Sequence, residues 1–140
     1  MMSIEEKETA LIDDFAIYDD WMEKYEYIIE LGKDLPMIDD SFKTDDHLIK
    51  GCQSKVWMNA EIKDGKVVFT ADADAIIAKG IIALLIQVLS NEKPQDIIDA
   101  KLDFIKEIGL QEHLSPTRSN GLVSMVKQMK MDAVALNMKA

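Results

Sequence analysis

The only cysteine of the chain, Cys52, lies in a short segment whose residue types suit chemistry. Leu48 and Ile49 lead in as an apolar pair, Gly51 directly precedes the thiol, and a strand-like run begins at Val56. Because glycine adopts backbone angles closed to other residues, this pattern predicts a turn between two extended segments. Turns carried by a rigid scaffold often hold functional residues. The ordinary alternative is that Cys52 is a small buried hydrophobe, as free cysteines usually are.

A lone thiol on a turn has two chemical uses that need no second thiol. One is nucleophilic acyl catalysis, for which His47 or His113 would act as the base. The other is to accept a sulfane sulfur as a persulfide and pass it on, which follows the rules of thiol–disulfide exchange. A nearby cation favours the thiolate, and Lys50, Lys55 and Arg118 are candidates for that cation. The second use also needs no metal and no cofactor, and this parsimony favours it slightly.

Composition and charge restrict the class of protein. The chain has 140 residues, 48% of them hydrophobic and 30% charged, which is typical of a globular protein and predicts a single domain over residues 1–140. With 26 acidic against 16 basic residues and a net charge of −10, nucleic acid is a disfavoured ligand, because neutralising phosphates requires clustered Lys and Arg. A single cysteine excludes an internal disulfide framework and any zinc or iron–sulfur site with four thiolates.

The sequence shows neither a secretory signal nor a membrane span. Residues 1–10 are acidic and lack the basic flank and apolar core of a signal peptide. The longest apolar run, residues 75–89, is interrupted by Lys79 and Gln87 and is too short to cross a bilayer. We therefore expect a cytoplasmic protein that does not bind membranes.

Two amphipathic helices are predicted at the start of the chain. Ser3 and Glu6 have the spacing of a capping box, and apolar residues at helical spacing continue this helix to about Tyr18. A second helix comes next, and we expect Gly32 to end it with a left-handed cap. The helical pattern stops over residues 33–46, where Pro36 and the aspartates at 39, 40, 45 and 46 predict a surface connection.

A change to a period of two after the cysteine predicts β structure. Apolar residues alternate along residues 56–62 and 67–71, and the dipeptide Asp64-Gly65 between these runs is a strong hairpin signal. With a brief strand at Leu48-Ile49, the pattern predicts a small antiparallel sheet of three strands. Helices must cover one face of it, because a lone hairpin is marginally stable in water.

The next helix is predicted to be central and buried. Residues 75–89 are apolar on nearly every side, and Asp72 or Asp74 is a candidate N-cap. Gly80 within this helix costs roughly 1 kcal/mol relative to alanine, so we expect close packing against a neighbouring element as compensation.

The remainder of the chain is predicted to contain further helices around one loop. Pro94 begins a short helix, and helical spacing then continues to Gly109. Residues 110–121 are predicted to be a loop, and Leu122 opens the stripe of the last helix. The fold class is therefore α+β, with helices flanking a small three-stranded antiparallel sheet in the order ααβββααα.

Four segments, in order along nearly the whole chain, resemble motifs of the SufE family of sulfur acceptors. They lie within residues 21–32 (Trp21, residues 23–25 and residues 28–32), 51–57 (GCQSKVW), 72–83 (residues 72–74 and 79–83) and 113–122 (HLSPTRSNGL). The resemblance implies the fold that this family shares with iron–sulfur scaffold proteins (SufE/IscU-like). It also implies a role for Cys52 as the acceptor of persulfide sulfur from a pyridoxal-phosphate-dependent, SufS-like cysteine desulfurase, which the acceptor stimulates.

The destination of the sulfur is also implied by the resemblance. Sulfur would pass to a SufB-like scaffold complex for iron–sulfur cluster assembly, with no turnover in the absence of the desulfurase. Pyridoxal phosphate belongs to the partner, and we expect this chain to hold no cofactor, no metal and no cluster. The sequence leaves open whether two copies pair as a homodimer.

Three further residues in the resembling segments are candidates for supporting roles. Arg118 contacts the partner or supports the thiolate, or else it is a structural arginine of its loop. His113 is a hydrogen-bonding loop residue or a proton carrier. Asp74 is an N-cap, or it tunes the cysteine turn or the docking surface. Lys50 and Lys55 stay candidates for the cations near the thiol.

Because a free persulfide is easily lost to small thiols, we expect Cys52 to rest against apolar side chains until the partner docks. Val56, Trp57, Ile81 and Leu84 are the side chains predicted to line this shelter, and burial there would raise the pKa of the thiol. Two rival functions remain open at this point. One is a desulfurase-activating docking module whose thiol transfers nothing, and the weaker one is a Cys-His hydrolase.

Overall fold

The computed structural model describes residues 2–139, and their elements confirm the predicted α+β class. Two helices precede a β-hairpin, and further helices come after it, with short 3-10 turns in the connection before the hairpin. The order is α1 (Ile4–Ala16), α2 (Trp21–Lys33), β1 (Val56–Lys63), β2 (Lys66–Ala73), α3 (Ile76–Leu89), α4 (Pro94–Asp99), α5 (Phe104–Ile108), α6 (Leu110–His113) and α7 (Pro116–Lys139).

The capping box predicted for α1 is confirmed. The hydroxyl of Ser3 accepts from the backbone N–H of Glu6 at 3.1 Å, and the Glu6 carboxylate accepts from the Ser3 N–H at 3.3 Å. These two bonds satisfy donors that a helix start otherwise leaves unpaired. The helix ends close to the predicted position.

The prediction that Gly32 ends α2 with a left-handed cap is wrong. The helix continues to Lys33, and Asp34 is the C-cap with φ −99°. Gly32 is instead buried against α3, where a Cβ would lie 3.0 Å from the backbone nitrogen of Gly80. A Cβ on Gly80 would in turn overlap the carbonyl oxygen of Ile28. The close packing predicted for Gly80 is therefore confirmed, and α2 is the helix that packs there.

The hairpin is confirmed, but the sheet has two strands in residues 2–139. Strands β1 and β2 pair antiparallel around Asp64 and Gly65, whose φ values are 53° and 79°. The predicted third strand at Leu48-Ile49 is wrong, since Leu48 forms only an isolated antiparallel bridge to Trp57. The segment is too short to extend the ladder because the chain turns away at Gly51.

Helix α3 is the centre of the core, as predicted. Nine of its residues are buried, and it contacts α1, α2, α7 and β2. Its N-cap is Ala75, which makes no side-chain capping bond, so the prediction of Asp72 or Asp74 as the cap is wrong. Those carboxylates bind elsewhere: Asp72 pairs with lysines, and Asp74 bonds to the cysteine turn.

The prediction of a loop over residues 110–121 is wrong. Helix α6 occupies the first part, and α7 begins at Pro116, so Arg118 lies in the first turn of a long helix. The hydroxyl of Ser115 accepts from the Arg118 N–H at 3.3 Å, which is the bond of an N-cap. The order of helices and strands is therefore ααββααααα, in place of ααβββααα. None of the helices in residues 2–139 has the length and apolarity needed to span a bilayer.

Candidate functional site

The turn that carries Cys52 is closed by backbone hydrogen bonding at its base. The N–H of Ile49 donates to the carbonyl of Val56 at 2.9 Å, so the residue before the turn is bonded to the first residue of β1 after it. Gly51 has φ +94°, in the region that residues with side chains rarely adopt. The turn predicted from the sequence is therefore present, and glycine is required at this point.

Asp74 anchors the second half of the turn to the end of β2. Its carboxylate Oδ1 accepts from the backbone N–H of Lys55 at 3.0 Å, and its own N–H donates to the Lys55 carbonyl at 3.0 Å. Two reciprocal bonds fix the direction in which the chain emerges from the turn. The candidate role of Asp74 next to the cysteine turn thus has a structural basis, whereas its role as an N-cap does not.

Helix α7 forms the other wall of the site. A Cβ on Gly51 would overlap the hydroxyl of Ser124, so the turn lies directly against this helix. The half-buried Sγ of Cys52 donates to the carbonyl oxygen of Gly121 at 3.7 Å. An S–H···O hydrogen bond of this length is weak, so the thiol contacts α7 without being firmly held.

The thiol lines a cavity of about 400 Å³ between the turn, the start of α3 and the start of α7. Apolar side chains of the core form one part of the lining, and polar residues of the turn and of α7 form the other. The lining consists of Cys52, Gln53, Ser54, Val56, Ala75, Ile77, Ala78, Ile81, Ser115, Thr117, Arg118, Gly121 and Met125. Such a mixed cavity of a few hundred Å³ is the usual form of a functional site.

Burial raises the pKa of the Cys52 thiol above its ordinary value. Desolvation disfavours the charged thiolate, so the thiol form dominates at neutral pH. This direction agrees with the sequence-based expectation of a sheltered thiol. Of the side chains expected to shelter it, Val56 and Ile81 line the cavity, whereas Trp57 and the fully buried Leu84 do not.

Of the three candidate cations, Arg118 alone lines the cavity that contains the thiol. Arg118 is exposed. Lys50 and Lys55 are exposed on the two sides of the turn and do not line the cavity. The structure therefore brings Arg118 to the site from a helix more than 60 positions away in sequence.

Neither histidine lines the cysteine cavity. The ring of His113 stacks on Trp21 with 4.2 Å between centroids, and its Nδ1 lies 2.9 Å from the carbonyl oxygen of Gly109. His47 packs against Phe42, with its Nδ1 3.1 Å from the hydroxyl of Thr44. A Cys-His pair is therefore not assembled, and the hydrolase alternative loses its base.

Apart from Arg118, the residues that α7 and the residue before it contribute to the site were not among the candidates named from the sequence. Ser115, Thr117, Gly121 and Met125 line the cavity, but the sequence pattern predicts a loop for the stretch that contains the first three. A signal was present in Ser115-Pro116, because serine is a preferred N-cap and proline is preferred at the first helical position. Among residues 2–139, no three His, Cys, Asp or Glu side chains converge as a metal-binding group.

Comparison of the fold with solved structures gives a close match. The solution structure of a hypothetical protein from Thermus thermophilus superposes with a TM-score of 0.76 and covers 92% of this chain and 94% of its own. The two sequences are 19% identical, so this likeness concerns the fold alone.

Sequence comparison identifies the family. An uncharacterised SufE-like protein of Rhizobium meliloti is 40% identical over 129 residues, covering 88% of this chain and 91% of the relative. A chloroplastic/mitochondrial SufE-like protein 1 of Arabidopsis thaliana is 40% identical over 117 residues, which cover 83% of this chain and 32% of that longer relative. The family model described as the SufE Fe-S metabolism associated domain matches residues 9–133. The chain belongs to the SufE family.

Proposed function

We propose that Cys52 accepts sulfur from the persulfide of a cysteine desulfurase and delivers it to iron–sulfur cluster assembly. Membership of a family associated with Fe-S metabolism supports the metabolic context. The observation that carries the proposal is the position of the single thiol, half-buried at the edge of a 400 Å³ cavity on a turn anchored at both ends. That setting suits a thiol that receives a sulfur atom from one protein and passes it to another.

The transfer step needs no oxidant or reductant. The Cys52 thiolate attacks the terminal sulfur of the donor persulfide, and a new S–S bond forms at Cys52 as the donor S–S bond breaks. The donor cysteine leaves as a thiolate, so the sulfane sulfur keeps its oxidation state. The proton lost from Cys52 passes to solvent or to the departing thiolate.

The raised pKa of Cys52 makes this step dependent on the partner. In the isolated protein the thiol is mostly protonated and is a poor nucleophile. The bond from Sγ to the Gly121 carbonyl is weak, so docking can turn the side chain toward the donor with little opposing energy. The desulfurase would then supply the environment in which the thiolate forms.

The other candidate residues take supporting roles in this proposal. Arg118 stabilises the thiolate or the incoming persulfide anion from its place in the cavity wall. Asp74 holds the turn in position through Lys55. The exposed side chains of Lys50 and Lys55, and the surface around His113, meet the partner. A single domain over residues 1–140 and a cytoplasmic location stay predictions, and whether two copies pair as a homodimer stays open.

Intact-mass spectrometry after incubation with a cysteine desulfurase and cysteine tests the proposal. We expect the wild-type chain to gain the mass of one sulfur atom, which a reductant removes. The Cys52→Ser variant keeps the size of the side chain and a donor to Gly121, but it should gain nothing. Sulfide release by the desulfurase should rise with the wild type and not with the variant.

The docking-module alternative makes the opposite prediction for the wild type and the Cys52→Ser variant. If Cys52→Ser stimulated sulfide release as strongly as the wild type, and neither protein gained sulfur, the thiol would be incidental. Binding of both proteins to the desulfurase, measured by calorimetry, separates a failed transfer from a failed association.

A further inference from the structure

The surface of α7 that faces away from the core is unusually apolar. The outer face of α7 is defined here as Val123, Lys127, Met131, Val134 and Met138, which recur at helical spacing. Val123, Met131, Val134 and Met138 are 51%, 54%, 43% and 82% exposed. The opposite side of the helix packs into the core through Leu122, Met125, Met129 and Ala133. A surface helix normally presents polar residues outward, so this face lacks its covering.

The charge of α7 is opposite to that of the chain. The helix carries the four cations Arg118, Lys127, Lys130 and Lys139 against a single carboxylate, Asp132, while the whole chain has a net charge of −10. Cations on an acidic protein attract and orient a negatively charged partner.

A groove between α5 and α7 extends the outer face. Its volume is about 410 Å³, its buried walls include Leu102, Ile105 and Leu122, and Val123 at its edge belongs to both surfaces. Four lysines surround it: Lys101, Lys106, Lys127 and Lys130. Lys130 is held in place, since its Nζ donates to the carbonyls of Ile98 and Ala100. Asp103 is the only carboxylate in the described lining.

We propose that the outer face of α7 and this groove bind an acidic amphipathic helix of a partner protein. From Val123 to Met138 the apolar residues extend over about 22 Å at 1.5 Å per residue, which is the length of several turns of a second helix. Apolar residues of the partner cover the methionines and valines, one larger side chain enters the groove, and flanking Glu or Asp residues meet the lysines. This surface is separate from the Cys52 cavity, which lies on the other flank of α7.

Two other occupants fit the observations less well. A second copy of this chain meeting the same face would bring the lysines of one copy near the lysines of the other, because a two-fold interface pairs each patch with itself. An anionic membrane would face a protein with a net charge of −10, and a flat bilayer surface would leave the groove unfilled.

Nuclear magnetic resonance titration of the full chain with two designed peptides tests the proposal. Both peptides are amphipathic helices with leucine at i, i+3, i+4 and i+7, one flanked by glutamate and the other by lysine. We expect only the glutamate peptide to bind, with shifts at Val123, Met131 and Val134 and weaker affinity at higher salt. Equal binding of both peptides, no binding, or shifts confined to the Cys52 cavity would overturn the proposal.

Variants with matched controls locate the contact. Val134→Glu and Met131→Glu should each weaken binding of the glutamate peptide by about tenfold, since each places a like charge in an apolar contact. Lys127→Glu should weaken it about threefold, as expected for a charge at the rim of an interface. Lys63→Glu makes the same change of net charge at the end of β1 and should leave binding unchanged. Circular dichroism checks that each variant is folded.

The remaining controls separate this surface from the proposed sulfur transfer and from the rival occupants. Cys52→Ser should bind the peptide as the wild type does, so that failure of sulfur transfer leaves this test intact. In sedimentation, the wild type and Val134→Glu should have the same oligomeric state, because the outer face of α7 is not expected to pair two copies. Phosphatidylglycerol vesicles should not bind the chain. A dimer or vesicle binding abolished by Val134→Glu would overturn the choice of an acidic helix.

Discussion

Glycine has opposite uses at the contact between α2 and α3 and at the cysteine turn. Gly32 and Gly80 have helical backbones and are needed because the two helices approach within the space of a side chain. Gly51 has φ +94° and is needed first for its backbone conformation. The first contact is buried in the core, whereas the second bends the chain beside a cavity.

This difference separates stability from function in the molecule. The α2–α3 contact joins buried glycines at a distance that leaves no room for a side chain, so displacing either helix would disturb the packing of the core. The cysteine turn is anchored at its ends by Ile49, Lys55 and Asp74, while the thiol between these anchors has one weak bond. A firm scaffold thus supports a segment that is able to rearrange at low cost.

The largest expected effect is that of Gly80→Ala. Alanine gains about 1 kcal/mol of helix propensity, but its Cβ overlaps the carbonyl oxygen of Ile28, which is backbone and cannot rotate away. We expect a net loss of about 2–3 kcal/mol in the free energy of unfolding, measured by urea denaturation.

Gln87→Ala, an exposed change on the same helix, is the control for Gly80→Ala and should have little effect. A Gly80→Ala variant as stable as the wild type would show that α2 and α3 can separate. The comparison between a rigid contact and an adaptable turn would then fail.

A smaller effect is expected for Gly51→Ala. A side chain at φ +94° costs about 1–3 kcal/mol, but the Ser124 hydroxyl that it meets is the end of a side chain and can rotate. Alanine also lowers the conformational entropy of the unfolded chain, which offsets part of this cost. We therefore expect a net loss of about 1 kcal/mol in the free energy of unfolding. The distorted turn should also change the alkylation rate of Cys52.

Ser124→Ala together with Gly51→Ala separates conformational strain from steric overlap. If the loss came mainly from overlap with the hydroxyl, the second change would restore most of the stability. We expect it to restore little, because backbone strain dominates at this position. Full restoration would contradict the assignment of Gly51 to a conformational role.

The smallest effect concerns pH. Because burial raises the pKa of Cys52, iodoacetamide should alkylate the native protein slowly at neutral pH, with a rate that rises only above the pH at which an unfolded cysteine reacts. Between the ordinary and the raised pKa, the native thiol keeps a proton that the unfolded chain has lost. The free energy of unfolding should therefore fall as pH rises through this interval.

The same chain unfolded in urea is the reference for the alkylation profile. A native rate profile with its midpoint at or below that of the unfolded chain would show that the thiol is activated at rest. Shelter of Cys52 at the cavity edge would then be refuted, and activation would not require a partner.

Local features of the sequence predicted local features of the structure well. The capping box of Ser3 and Glu6, the turn at Asp64 and Gly65, and the bend before Cys52 each depend on residues close in sequence, so residue type and spacing are sufficient to predict them. The apolar character of residues 75–89 was equally informative, because a helix with no polar side must be buried.

Errors arose where a local signal had two uses. Gly32 has the residue type of a C-cap and serves as a contact surface for α3, a use that depends on a helix about 50 positions away. Asp74 has the residue type of an N-cap and instead bonds to Lys55 across the end of the hairpin. At Ser115 the signal of a helix start is present, but the polar residues around it are equally typical of a loop.

The sequence by itself determined the fold class, the single thiol, its turn and the family to which the chain belongs. Only the tertiary structure decided what surrounds that thiol, because α7 and α3 reach the cavity from distant parts of the chain. It also decided which face of α7 is left uncovered. Residue spacing specifies which side chains share a helix face, but packing between distant elements specifies which of those faces meets solvent.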